Sequence, residues 1–143
     1  MQFQRFGDRY QLRFESGEKV AETFTNWLKA NEIGYATITG LGAVSRATVS
    51  YWNAKKKKYE THTLKEQLEV VSLIGNVTLR DGVPFTHIHV GLGRRDLFVV
   101  GGHFNDATVY PTLEISLQPE PASVHRILDE SCGLYVMDLP ERP

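Results

Sequence analysis

The stretch Pro84–Phe104, PFTHIHVGLGRRDLFVVGGHF, decides the fold, and it holds three of the chain's five histidines. Its first half alternates. Thr86, Ile88, Val90 and Leu92 fall on one face of an extended strand, and His87, His89 and Gly91 on the other. Gly93, Arg94, Arg95 and Asp96 make a turn. Leu97–Val100 is apolar and β-branched enough for a return strand, and Gly101-Gly102 breaks it just before His103. The stretch reads as a β-hairpin that sets imidazoles on one face of a sheet.

Register decides whether all three imidazoles meet. With Leu92 opposite Leu97 across a four-residue loop, His87 faces Gly102 and His103 points to the far side. With an odd loop or one bulge, His87 faces Gly101 and His103 joins His87 and His89, because a one-residue slip flips a whole face. Gly101-Gly102 is a natural bulge site.

The 143 residues suit a single domain, 1–143, with a core over about 9–137. Hydrophobic content of 41% and charged content of 23% are those of a globular chain. The formal net charge of −1 lacks the basic excess of a general nucleic-acid binder. One cysteine, Cys132, allows no internal disulfide and suits a reducing compartment. No apolar run approaches the ~20 residues of a membrane span, and MQFQRFGDRY has no signal-peptide core. The expectation is a soluble cytoplasmic protein with no membrane partner.

Working outward, Arg9–Glu15 alternates as a half-wet strand. Val20, Ala21, Phe24, Trp27 and Leu28 follow helical spacing between Gly17 and Asn31, with Ser16 as the expected N-cap. Tyr35–Trp52 reads as strand, interrupted at Gly40-Leu41-Gly42 by a bulge or a close backbone approach. Lys55, Lys56, Lys57 and Lys58 form a solvated hairpin tip or a phosphate-facing patch. Tyr59–Leu64 and Leu68–Leu79 are further strands, with a bulge or tight turn at Gly75-Asn76, and Arg80-Asp81-Gly82 is a turn. Asn105-Asp106 reads as another turn, and Tyr110–Gln118 as a half-buried strand stopped by Pro119 and Pro121. Val124–Leu128 is expected as a helical turn, Gly133–Met137 as a last strand and Leu139–Pro143 as a loose tail. The pattern is α+β, a mainly antiparallel sheet with one principal helix. One helix covers only part of such a sheet, so association with a second copy is expected.

Three segments carry a family resemblance. His87-Ile88-His89-Val90 with Val99-Val100-Gly101-Gly102-His103 resembles the signature of the PPC domain (plants and prokaryotes conserved; domain of unknown function 296). Gly40-Leu41-Gly42-Ala43-Val44 and Glu69–Asn76 resemble two further family segments in the same order, and the helix after Gly17-Glu18 also fits. The resemblance implies an α+β fold that assembles as a homotrimer. In plants the domain is joined to AT-hooks and takes part in DNA-associated, transcription-related complexes. This sequence has no Arg-Gly-Arg-Pro hook, the minor-groove reader of the plant proteins, and is similar to stand-alone prokaryotic members. Some of those look like metal binders through the equivalents of His87, His89 and His103.

The candidate site follows from both lines of reasoning. Clustered neutral imidazoles suit zinc or another divalent transition metal, and three protein ligands leave a position for water. Glu114 is a candidate for a fourth ligand or a base, and Glu69 for a base; no established catalytic motif is present. Arg94 and Arg95 join Lys55–Lys58 as candidate anion or nucleic-acid contacts, against the reading of a solvated tip. Gly91, Gly93, Gly101 and Gly102 leave room for a ligand or a second backbone, or serve turn geometry alone. His62 and His125 read as surface residues and Cys132 as a small buried one. Two function classes stay open: a homotrimeric binding module associated with DNA or DNA-bound proteins, which the resemblance favours, and a metal-dependent small-molecule binder or hydrolase-like enzyme.

Overall fold

The computed structural model describes residues 1–140 and comprises nine strands and one helix over those residues. In chain order they are β1 (Gln2–Phe6), β2 (Arg9–Glu15), α1 (Val20–Ala30), β3 (Ala36–Asn53), β4 (Lys58–Leu64), β5 (Leu68–Arg80), β6 (Val83–Gly93), β7 (Val99–Pro119), β8 (Arg126–Asp129) and β9 (Leu134–Met137). Seven strands form one antiparallel sheet in the order β1-β2-β7-β6-β5-β3-β4, and β8 and β9 pair separately. The expected α+β class with one helix and a mainly antiparallel sheet is the observed one.

The sheet also closes on itself. β3 pairs β5, β5 pairs β6, β6 pairs β7, and β7 returns to pair β3. Closure is possible because β3 and β7 are 18 and 21 residues long, so each serves several partners along its length. Register shifts at Gly40/Gly42 in β3 and at Val70/Ser72 in β5 bend the strands, since a bulge raises local twist. The Gly40–Gly42 segment is thus a bulge within one strand. The core fills the ring with Ile38, Val44, Leu68, Leu73, Ile88, Leu92 and Leu113, all buried. The alternation in β6 therefore sends Ile88, Val90 and Leu92 inward and the histidines out. One helix does not need to cover the sheet, because the sheet covers itself.

α1 packs on β7 and β6 and buries Val20, Phe24, Trp27 and Leu28, the spacing read from the sequence. Its cap is not Ser16. Lys19 is the N-cap and makes no side-chain cap bond; instead Asp106 Oδ1, from β7, accepts the Ala21 N–H at 3.0 Å. Asn105-Asp106 is accordingly not a turn. It lies inside β7 at the register shift opposite Thr48/Val49, and Ser50 Oγ donates to Asn105 Oδ1 at 2.6 Å. Gly75-Asn76 lies in an unbroken part of the β5–β6 ladder. The helical turn expected at Val124–Leu128 is strand β8, because Leu79 N–H bonds Val124 O and the segment pairs β9. β1, with all five residues exposed, is an addition the sequence did not signal. Residues 141–143 of the expected tail lie outside the described residues.

Candidate metal centre

β6 and β7 meet through a five-residue loop, 94–98, between paired Gly93 and Val99. Leu97 takes a positive φ of 68°, Arg94 N–H donates to Phe98 O at 2.9 Å, and Asp96 Oδ1 accepts the Phe98 N–H at 3.1 Å. The return strand therefore starts at Val99, not Leu97. The loop is odd, so the parity that unites the histidines is met, but the register differs from the one expected: His89 faces His103, and Gly91 faces Gly101. Gly101-Gly102 does not break the strand. A Cβ on Gly101 would collide with Val90 O, and one on Gly102 would lie 2.7 Å from Ser50 O. Those glycines let β7 lie tightly against both β6 and β3 just before His103. Gly91 is less constrained, with Val71 and Val99 at 3.4 and 3.5 Å from a Cβ placed there.

The three imidazoles form a triangle on the outer surface of the ring. Centroids of His87 and His89 are 5.3 Å apart, of His87 and His103 5.3 Å, and of His89 and His103 5.6 Å. One donor nitrogen from each lies within 4.8 Å of the others. Two nitrogens sharing an ion at about 2.1 Å each stand no more than about 4.2 Å apart, so small side-chain rotations bring the triad to coordination distance. His103 Nδ1 is buried with no hydrogen-bond partner, a group that a ligand would satisfy. Burial, then the positive Arg126 and the neighbouring His103 and His89, push His87 down to about 4. Burial, then His89 and Arg126, lower His103 as well. Near neutral pH both rings are unprotonated, the form that ligates metal. The residues thus fit a divalent transition metal.

Arg126 from β8 supports the cluster. Its Nη2 contacts Asn76 Oδ1 at 3.1 Å and His87 Nδ1 at 3.4 Å, its Nε donates to Thr78 Oγ1 at 2.8 Å, and its Nη1 to Tyr135 O at 2.8 Å. Asn76 is the register partner of His87. Sequence reasoning missed Arg126. Its one local signal, a basic residue in the segment expected as a helical turn, does not point at β6.

The other candidates fall elsewhere. Lys55–Lys58 form the exposed β3–β4 tip, where Lys56 pairs with Glu60 at 2.9 Å. Lys57 and Lys58 also line a cavity with His87 and His103. Arg94 pairs with Glu66 at 3.3 Å, and Arg95 is exposed. Glu114 lines a separate groove beside β1 and β2, and Glu69 is exposed opposite Gly93. Neither joins the histidine group. His62 and His125 are exposed, and Cys132 is half-buried.

Residues 1–120 match the Plants and Prokaryotes Conserved (PCC) domain. This chain belongs to that family. Solved structures share its fold over nearly the whole chain. A metal-containing protein from Archaeoglobus fulgidus is 34% identical, with 96% of this chain and 98% of that chain covered and a TM-score of 0.86. A plant- and prokaryote-conserved (PPC) protein from Pyrococcus horikoshii is 31% identical, with 99% and 97% covered and a TM-score of 0.86. A protein from Bacteroides thetaiotaomicron, provisionally named a DNA-binding protein, shares the fold at 24% identity and a TM-score of 0.93, with 96% of each chain covered. No curated protein matches the chain. No helix among the described residues is long and apolar enough to cross a membrane.

Proposed function

We propose that this PCC-domain chain is a metal-dependent small-molecule-binding module. Zinc or a related divalent ion would be held by His87, His89 and His103. One observation carries the reading: three imidazole nitrogens from two adjacent strands converge within 4.8 Å. The metal-containing relative at 34% identity supports it. When bound, such an ion supplies a Lewis acid with a position open to an exogenous ligand. The chain's own residues set that position. β6 and β7 fix the imidazoles, and Arg126 steadies His87. Glu69 and Glu114 stand apart from the triad, which favours binding over hydrolysis.

Metal content of the untagged protein, by plasma mass spectrometry, tests this. Near-stoichiometric transition metal in the wild type and its loss in His103→Ala is the expected outcome. Wild-type protein that stays metal-free after incubation with zinc would overturn the reading.

The module works as a homotrimer in the cytoplasm. Support comes from the apolar outer face, where Val71, Ile74 and Val99 are 56%, 59% and 58% exposed. Ile74 lies opposite His89 in the ladder, so the patch abuts the triad. Sedimentation equilibrium is expected to give three copies; a monomer would refute the assembly.

A second reading, association with DNA or DNA-bound proteins, draws on the Bacteroides relative's provisional name and on the exposed lysine tip. Phosphate contacts would make affinity fall steeply with salt, and no binding at low salt would sink it.

A further inference from the structure

Beside the imidazole triad lies a cavity of about 700 Å³. His87 and His103 form one side, the β3–β4 hairpin a second, and β8–β9 a third. That last hairpin lies beyond the family match at residue 120. Four cations line the space, Lys57, Lys58, Arg80 and Arg126, and among the described residues no carboxylate does. The chain as a whole has 16 Lys and Arg against 17 Asp and Glu, so this excess is local.

The excess is also poorly neutralised. Every hydrogen bond of Arg126 goes to a neutral group: Thr78, Asn76, His87 and the Tyr135 carbonyl. Lys57 Nζ donates to the neutral Ser131 O at 2.9 Å. Among the described residues, Arg80 is the lining cation that makes an ion pair, with the exposed Asp81 at 3.6 Å. A half-buried guanidinium without a counter-charge costs free energy that a ligand anion restores. The cavity is also apolar where it is not charged. Trp52 and Tyr59 pack edge to face at 5.0 Å, and Tyr59 lies 5.0 Å from His103. Arg126 sits 5.2 Å from the Phe85 centroid and Arg80 3.8 Å from that of Tyr135. Cations held against aromatic faces, around an apolar hollow, are the lining of a site for a charged organic molecule.

We propose that this cavity is the ligand site of the module and takes a small organic anion. Its carboxylate or phosphate faces Arg126, Arg80 and Lys58. Its apolar body lies on Trp52 and Tyr59, with its edge against the imidazole triad. The proposal rests on the binding-module reading for what the triad adds, and on the cavity itself for the charge preference.

The test titrates benzoate, phenyl phosphate and the neutral benzyl alcohol into isotope-labelled protein, metal-free and zinc-treated, with the Trp52 indole resonance as readout. At least one anion is expected to shift that resonance and to bind about tenfold or more tighter than benzyl alcohol, a difference of about 1.4 kcal/mol. Lys58→Gln with Arg80→Gln, both at the cavity mouth, should weaken the anion by about tenfold while the remaining spectrum shows an intact fold. Arg126→Lys, which keeps charge but not the fork, is a second variant expected to weaken it. Equal affinity for benzyl alcohol, or no Trp52 shift with either anion, would overturn the proposal. So would a single-stranded oligonucleotide that displaces phenyl phosphate at lower concentration, since the site would then be a nucleic-acid groove. The two readings fail separately. Anion binding by protein that takes up no zinc removes the metal alone, and zinc uptake without anion binding removes the ligand site alone.

Discussion

At the scale of single residues, His87 and Gly75 show how tightly the outer face is tied to the ladder beneath it. Folding holds His87 near about 4, against about 6.5 for a free imidazole, because burial and Arg126 disfavour the charged ring. The unfolded chain therefore binds the extra proton between those values. The stabilisation from the neutral ring is present above the unfolded value and is lost as pH falls through the window toward 4. Metal-stripped protein should unfold at progressively lower urea between pH 7 and pH 4.5, and His87→Gln should flatten that decline. A slope unchanged by the substitution would show that another group carries it. Gly75 faces Ile88 across the ladder, and a Cβ there would collide with His87 O and crowd Ile88. Gly75→Ala should cost about 1–3 kcal/mol by denaturant unfolding, the range for overpacking a fitted site. It should also weaken metal uptake by displacing the His87 backbone.

Elements here are finished by groups far away in sequence. α1 lacks a side chain of its own at the cap, and Asp106, 85 positions along, accepts the Ala21 N–H. Asp106→Ala should therefore destabilise the protein by about 1 kcal/mol, as loss of an N-cap does. Urea unfolding checks this, and an unchanged midpoint would mean that solvent serves the amide equally well. The apolar faces of α1, β2, β6 and the second half of β7 were legible from periodicity alone, because a buried face writes its period into the residues. Ser16 looked like a cap because cap preference is local, and the helix took its acceptor from β7 instead. Asn105-Asp106 looked like a turn by composition, yet Ser50 bonds Asn105 and Asp106 serves the helix, so the pair forms a bulge in a continuous strand.

For the whole molecule the decisive event is ring closure. β3 must find β7 over separations as long as that between Ala36 and Pro119. Loop-closure entropy is lost before those contacts form, so folding on a millisecond-to-second scale is expected by stopped-flow fluorescence. A single microsecond phase would contradict a closure-limited route. Closure also explains why the sheet needs no second layer to bury its inner face. What a partner could cover is the outer patch of Val71, Ile74 and Val99.

The amino-acid sequence by itself determined the class of fold, the helix, most strands, the faces they bury and the family, since each is a matter of local period or short motif. It also named the three histidines and showed that an odd loop would unite them. Only the tertiary structure decided that the loop has five residues, that His89 faces His103, and that Arg126 comes to lie against His87. The physical reason is the same in each case. Register, long-range capping and the charge inside a cavity depend on which segments pack together, and pairing energy between distant strands leaves no period in either one.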